Sequence, residues 1–242
     1  QNRVLNTTIL MKEQSETIIP VSCTEQGRWS YRTHHFHESG NIMSARLRRV
    51  KNESVTACLR ESRTYRSDQG AIWDGIRRQS EAADIESPTS AMEDIHQAKR
   101  EDLESWLDHF TIAEGQKGLM VLINGVVAGL DLVSRSHAFG VIHPKLMKSY
   151  LMDAILETPR KRLGKDQSGR ATSFFKDMLA CTEQQYDSPG YGSDYRYQGP
   201  KVVGSALVHD KTVIHLAFFT ATAAQLGGSL SSLSRRRGYR VF

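Results

Sequence analysis

At 242 residues, with 39% hydrophobic and 24% charged side chains, the chain has apolar material for one core of ordinary domain size, which excludes global disorder. Its three cysteines, Cys23, Cys58 and Cys181, are too few and too widely spaced for a disulfide framework or a CxxC zinc site, so a reduced, cytoplasmic setting is expected. The net charge of +5 is unevenly spread: residues 28–66 hold nine Arg or Lys against three acids, while residues 81–114 hold ten acids against Lys99 and Arg100.

A basic stretch of this kind attracts phosphate or nucleic acid, unless the acidic stretch neutralises it internally. No run of about 18 apolar residues occurs, so no membrane partner is expected. The chain begins with Gln1 in a segment that already reads as strand, and an upstream portion of the natural protein is expected.

In chain order, residues 3–11 and 17–23 are rich in β-branched side chains and read as a hairpin. A turn-rich segment from Gly27 to Gly40 follows. Ile42, Ala45, Leu47 and Val50 set a helical period, and Ser54 is placed to cap a second helix through Leu59. Ile72, Trp73 and Ile76 share a helix face, with Trp73 as a core anchor. Ser90 is a candidate cap for a helix holding Met92 and Ile95, and Leu103, Trp106, Leu107 and Phe110 form one further amphipathic face. Asn124-Gly125 between two apolar runs, 118–123 and 126–133, predicts a type I′ hairpin whose strands are central. Pro144 suits the first turn of the next helix, and Phe174 to Leu179 mark a shorter one. Residues 186–200 read as loop, with Tyr195 to Tyr197 as a strand alternative. Val202–Val208 and Thr212–Phe219 predict a third hairpin, and 221–242 a low-complexity basic tail.

Reactive side chains concentrate at residues 19–32, where an apolar strand runs into Cys23, Glu25, Arg28, Trp29, Tyr31 and Arg32. Glu25 and Asp68 are candidates for a general base or for contact with ribose hydroxyls. Arg28, Arg32 and Arg66 can hold phosphate, and Trp29 or Tyr31 can stack on a base. Each has a structural alternative: Glu25 with Arg28 as a local ion pair, and Ser67 or Asp68 as a helix cap. Cys23 is as readily a small buried residue as a nucleophile. His34, His35 and His37 lack companion ligands of recognised spacing, so no metal is assigned. GxxxxGK[ST] and GxGxxG are both absent, which argues against P-loop and Rossmann nucleotide chemistry.

Several phrases occur together in one order: Gln1-Asn-Arg-Val-Leu-Asn-Thr-Thr8, Ile19 to Arg32, Ser44-Ala-Arg-Leu-Arg48, Tyr65 to Gly70 with Trp73-Asp74, and Asn124-Gly125 leading to Gly129-Leu-Asp131. In these the chain resembles the ARG and rhodanese-phosphatase-superfamily-associated protein domain, an uncharacterised prokaryotic family, over nearly its whole length to about Phe219. The resemblance implies an extension upstream of Gln1 and a link to ADP-ribose or phosphoester metabolism. It implies no catalytic residue.

The expectation is therefore a single α+β domain over 1–220, a mixed sheet of β-hairpins with intervening helices, followed by the tail 221–242. Its expected role is an intracellular domain binding, and at most processing, an ADP-ribose-like or other phosphorylated nucleotide. The alternatives are a non-catalytic protein-interaction module, or a nucleic-acid binder using residues 28–66 and the arginine tail. The cofactor, if there is one, is left open.

Overall fold

The computed structural model describes residues 2–27, 37–157 and 167–221. Along them run β1 (Arg3–Leu5), β2 (Val21–Cys23), α1 (Ala45–Ser62), α2 (Gln69–Ala82), α3 (Met92–Ala98), α4 (Arg100–Leu107), β3 (Gly118–Ile123), β4 (Val126–Val133), α5 (Ser136–Leu156), α6 (Gln167–Leu179), β5 (Thr182–Asp187), β6 (Ser193–Gln198), β7 (Val202–His209) and β8 (Thr212–Thr220). β1 and β2 form a small antiparallel pair. The other six strands make one antiparallel sheet in the order β3-β4-β8-β7-β6-β5. This is an α+β fold.

The period-2 alternation of the strands distributes their side chains between two covered faces. On one face Phe219, Val203 and Ala217 meet Ala45 of α1 and Tyr150 of α5. On the other, Phe218, Val202 and Leu130 meet Phe174 of α6. Behind α1 and α5 lies a helical core in which Leu47, Ile72, Ile76, Ile95, Leu103, Met147 and Leu151 pack together. Each such aliphatic side chain contributes roughly 1.5–3 kcal/mol by leaving water.

The Asn124-Gly125 hairpin forms as expected, with both residues at positive φ (50° and 75°), the backbone a type I′ turn requires. Its strands are not equivalent: β4 is interior and β3 is an edge strand. The 202–220 hairpin also forms, turning through Asp210 and Lys211 at positive φ.

Several expectations are corrected. The N-terminal pairing covers only residues 3–5 and 21–23, because the chain after Leu5 leaves the hairpin and spends its hydroxyls elsewhere. One helix spans 45–62: Ser44 is its cap, accepting from Leu47 N at 3.3 Å, and the Ser54 hydroxyl instead bonds back to the Lys51 carbonyl at 3.1 Å. Ala91, not Ser90, precedes α3, and the Ser87 hydroxyl accepts from Ala91 N at 2.9 Å. Pro144 lies well inside α5, eight residues after its start, and the carbonyl that a residue there would engage belongs to Gly140. Of the face predicted at 103–110, Leu103 is buried, but Trp106 and Phe110 are half exposed. Trp73 is only partly buried, and Ile72 and Ile76 supply the anchor instead. Residues 186–200, read as loop with Tyr195 to Tyr197 as a strand alternative, hold the end of β5 and the whole of β6, which pair as a hairpin over 182–187 and 193–198.

Candidate functional site

Register alone brings an unusual set of side chains to one face of the sheet. Asp131 on β4 pairs with Ala217 on β8, Ala217 with Ser205 on β7, and Ser205 with Arg196 on β6. The neighbouring row runs Val133, His215, Leu207, Asp194. Directly opposed residues sit about 5 Å apart, so two strips of polar groups cross the sheet under α1. From α1, Arg48, Lys51 and Asn52 lie at i, i+3 and i+4, on one face of the helix.

Asp131, Asp194, Arg196 and Asn52 are buried, Arg48, Lys51 and His215 partly so, and the layer is densely paired. Asp131 has no exposed surface. Arg48 grips it with both Nη atoms, one of them at 3.0 Å, and the Tyr150 hydroxyl donates to it at 2.7 Å. Gly129, two residues earlier on β4, makes this possible, since a Cβ there would lie 2.8 Å from that hydroxyl. Burial by itself would raise the Asp131 pKa. The Arg48 charge and the bonds from His215 and Arg48 outweigh it and hold the carboxyl well below the usual carboxylate range. Arg48 accordingly stays protonated. His215 presents Nε2 at 3.4 Å to Asp131 Oδ1 and Nδ1 at 2.7 Å to the Thr8 hydroxyl. In the neutral ring the proton belongs on Nε2, facing the acceptor-only carboxylate, and Nδ1 accepts from Thr8. Asn52 donates to Ser205 at 2.8 Å.

At the far end Arg196, 1% exposed, donates to both oxygens of Asp194 at 2.5 and 2.8 Å and to the Thr7 hydroxyl at 2.9 Å. Its guanidinium lies 5.8 Å from the ring centre of Tyr65, within cation–π range.

Residues 5–8 close this layer like a strap. Asn6 accepts from Ser22 at 2.5 Å and donates to the Tyr65 carbonyl at 2.8 Å, Thr7 serves Asp194 and Arg196, and Thr8 serves His215. The Leu5 carbonyl accepts from Lys51 Nζ. Lys51 is partly buried, and burial, with the charges of Arg48 and Arg196, lowers its pKa to about 7.

The structure brings two of the sequence-predicted segments together. The strand before Glu25 and the loop before α2 are joined where Cys23 N and O both bond the Gln69 side-chain amide, at 2.9 and 2.7 Å, and where Ser22 meets Ser67. Within this junction Glu25 is buried at 1% exposure, accepting from the Thr89 hydroxyl at 3.2 Å and from Asn2 N at 3.4 Å. Asp68 caps α2, accepting from Ala71 N at 3.0 Å, and Arg66 is exposed. Cys23 donates its thiol to the Glu25 carbonyl at 3.2 Å. Arg28, Trp29, Tyr31, Arg32, His34 and His35, like the arginine tail, lie outside the described residues. His37 is exposed, and among the described residues no three His, Cys, Asp or Glu side chains are placed to hold a metal ion. No described helix is long and apolar enough to cross a membrane.

Tyr65 links the junction to open surface. With Leu59, Arg63, Gln185, Tyr186 and Asp187 it lines a cleft of about 510 Å³. The Tyr65 hydroxyl donates to the Asp187 carbonyl at 2.8 Å, and the Arg63 guanidinium lies 5.2 Å from the Tyr186 ring centre. Burial raises the Tyr65 hydroxyl pKa, and the Asp194 charge adds to the rise, so it remains a donor. A second, smaller cleft of about 190 Å³ between α1 and the β3–β4 hairpin holds Arg46, Arg49, Asp153 and Glu157. There Arg46 is already spent on Glu157 at 2.6 Å, and Asp153 accepts from Arg46 N at 2.7 Å.

The sequence reading assigned no role to Asp131, Asp194, Arg196 or His215, and took Arg48 and Lys51 only as part of the basic stretch 28–66 offered for nucleic acid. Two signals point to part of the set: the basic spacing 48, 51 on an otherwise amphipathic helix, and the presence of Arg48 and Asp131 in the phrases that carry the family resemblance. Arg48 and His215 both meet Asp131 more than 80 residues away, while Asp194 and Arg196 pair two residues apart on β6 and Lys51 reaches the Leu5 carbonyl. No curated protein and no solved structure matches this chain. The family model of the ARG and Rhodanese-Phosphatase-superfamily-associated Protein domain matches residues 1–219, and the chain belongs to that family.

Proposed function

We propose that the domain binds a phosphorylated nucleotide of ADP-ribose-like character in the cleft between Tyr65 and Tyr186. The observation that carries this reading is the cleft itself: about 510 Å³, within the usual range for small-molecule sites, lined by two tyrosines and an arginine and backed through Tyr65 by the Arg196 end of the buried layer. A nucleobase stacks on an aromatic wall, and Arg63 and the exposed Arg66 supply guanidinium contacts to phosphate. A phosphate-bearing ligand also suits a family described by its association with rhodanese-phosphatase proteins. The proposal is one of binding, because Glu25 is buried in contacts to Thr89 and Asn2 and Asp68 is engaged at a helix end.

Thermal shift and calorimetric titration with ADP-ribose, NAD, AMP and phosphate-free adenosine test it. ADP-ribose or AMP should raise the melting temperature, a ligand at 100 times its Kd adding about 2.7 kcal/mol, and adenosine should do so less. Tyr65→Ala should weaken binding by roughly 1–3 kcal/mol in a folded protein, the usual worth of one stacked base. Silence with every nucleotide, or unchanged affinity in both Tyr65→Ala and Arg63→Ala, overturns the reading.

A further inference from the structure

The two edges of the large sheet are built differently. β5, at one edge, carries Glu183 and Asp187 and is exposed at every position but Tyr186, and charged side chains of this kind keep an edge from pairing with another chain. β3, at the other, reads Gly-Leu-Met-Val-Leu-Ile, with no charge and no proline, and each of its residues is partly buried. The bulge in the β3–β4 pair adds its extra residue, Ala128, to β4, so β3 itself runs regular. The Lys117 carbonyl accepts from Val133 N at 2.8 Å, so Lys117, Leu119, Val121 and Ile123 turn their backbone groups to β4, and Gly118, Met120 and Leu122 turn theirs outward. The Gly118 carbonyl is taken by the Gln116 side-chain amide at 2.9 Å. The N–H and C=O of Met120 and Leu122 have no partner among the described residues.

We propose that β3 is a dimerisation edge, which pairs antiparallel with β3 of a second copy of this chain across a two-fold axis at Val121. A two-fold maps an antiparallel pair onto itself, so the same edge serves both copies. With Val121 facing itself, Met120 falls opposite Leu122 of the second copy and Leu122 opposite Met120, and each such pair exchanges two hydrogen bonds. The unpartnered groups of Met120 and Leu122 are then satisfied in both copies, and the Gln116 bond is kept. Leu119 falls opposite Ile123, so the facing pairs from 119 to 123 are all apolar. Charge agrees with this register. Lys117, exposed and in no ion pair among the described residues, comes opposite Gly125 of the second copy, beside its Asn124, which donates to Glu157 at 3.1 Å, and no like charges face each other along the strand. An edge this short makes a small interface, so a dissociation constant on the order of micromolar is expected. β5, which borders the Tyr65 cleft, lies at the opposite edge, so the inference is independent of the nucleotide reading.

Sedimentation equilibrium of the full chain between about 1 and 100 μM should show a reversible approach to twice the chain mass. Oxidation of a Val121→Cys variant should link two chains through position 121, because the Cα atoms of a facing, non-hydrogen-bonded pair lie about 4.5 Å apart, within disulfide reach. Leu119→Cys, which faces Ile123, should not link to itself. Peptide mapping separates the position-121 link from any formed by Cys23, Cys58 or Cys181. Met120→Pro removes an outward N–H that the single chain does not use, so it should keep the circular dichroism spectrum and raise the dissociation constant at least about tenfold. A wild-type chain that stays monomeric up to about 100 μM overturns the proposal and leaves the edge to a segment of another protein. A dimer that Val121→Cys does not link overturns it, as does a folded Met120→Pro protein that associates as tightly as the wild type. Should Met120→Pro fail to fold, the wild-type mass and the position-121 link decide.

Discussion

Replacing Asp131 by Asn tests whether the buried polar layer holds the fold together. The substitution keeps the shape of the side chain and removes its charge. It leaves the Arg48 guanidinium, 11% exposed, without the carboxylate that both its Nη atoms contact, and it disturbs the Tyr150 donor at 2.7 Å and His215 at 3.4 Å. Breaking a buried pair by removing one partner costs about 3–5 kcal/mol, because the remaining charge stays desolvated. For a chain of this size each kcal/mol moves the melting temperature by roughly 2–4 °C, so a fall of about 6–20 °C is expected. Urea denaturation of the wild type, Asp131→Asn, Arg48→Met and the double variant Arg48→Met/Asp131→Leu measures it directly. The double variant removes both charges and should recover much of the loss of either single change. A loss below about 1 kcal/mol in Asp131→Asn, or strictly additive costs in the double variant, would refute the account of a coupled buried pair.

Two further outcomes follow from packing and burial. His96, 4% exposed, has its pKa lowered to about 4, chiefly by burial and despite a bond to the Ile42 backbone. The folded state therefore binds that proton less readily than the unfolded chain. Its share of stability is complete above the ordinary value of 6.5 and is lost as pH falls toward about 4, amounting to roughly 3 kcal/mol. His143, shifted the same way by burial, adds to this slope. Thermal melts across that window should show a decline that His96→Gln flattens, and parallel curves for the two proteins would contradict the assignment. Gly129→Ala would place a methyl group 2.7 Å from the Phe218 carbonyl and 2.8 Å from the Tyr150 hydroxyl, so a loss of about 1–3 kcal/mol is expected in chemical denaturation. A neutral result there would mean that Tyr150 can withdraw from Asp131 at little cost.

The buried layer also explains why residues 6–8 do not continue the N-terminal hairpin. Asn6, Thr7 and Thr8 are β-branched or turn-forming residues that local propensity assigns to a strand or its end. Their side chains instead bond Ser22, the Asp194–Arg196 pair and His215, adding to the partners these groups find in Ser67, in each other and in Asp131. A hydrogen bond to a charged group contributes about 1.5–3 kcal/mol against about 0.5–1.5 for a neutral one, so the bonds to the Asp194–Arg196 pair are worth more than the ladder bonds they replace.

By itself the sequence determined the elements whose signal is local. The Asn124-Gly125 turn, the 202–220 hairpin, the α+β class and the Ile72–Ile76 face of α2 all follow from spacing and turn chemistry, and these are properties of adjacent residues. The Ser22–Glu25 strand and the Tyr65–Gln69 loop, whose residues the sequence singles out, lie together, with Glu25 buried and Arg28 to Arg32 outside the described residues. Only the tertiary structure decided the polar layer. Hydrophobic periodicity finds buried faces by their apolar residues, and after Ala45 the face that α1 turns to the sheet carries Arg48, Lys51 and Asn52. The strand β6, whose buried side chains are Asp194 and Arg196, looked like loop for the same reason. Charged side chains read as solvated until their partners are known. Asp194 and Arg196 pair within β6, but Arg48 finds Asp131 on β4, and His215 on β8 joins them, through a register that no stretch of neighbouring residues encodes.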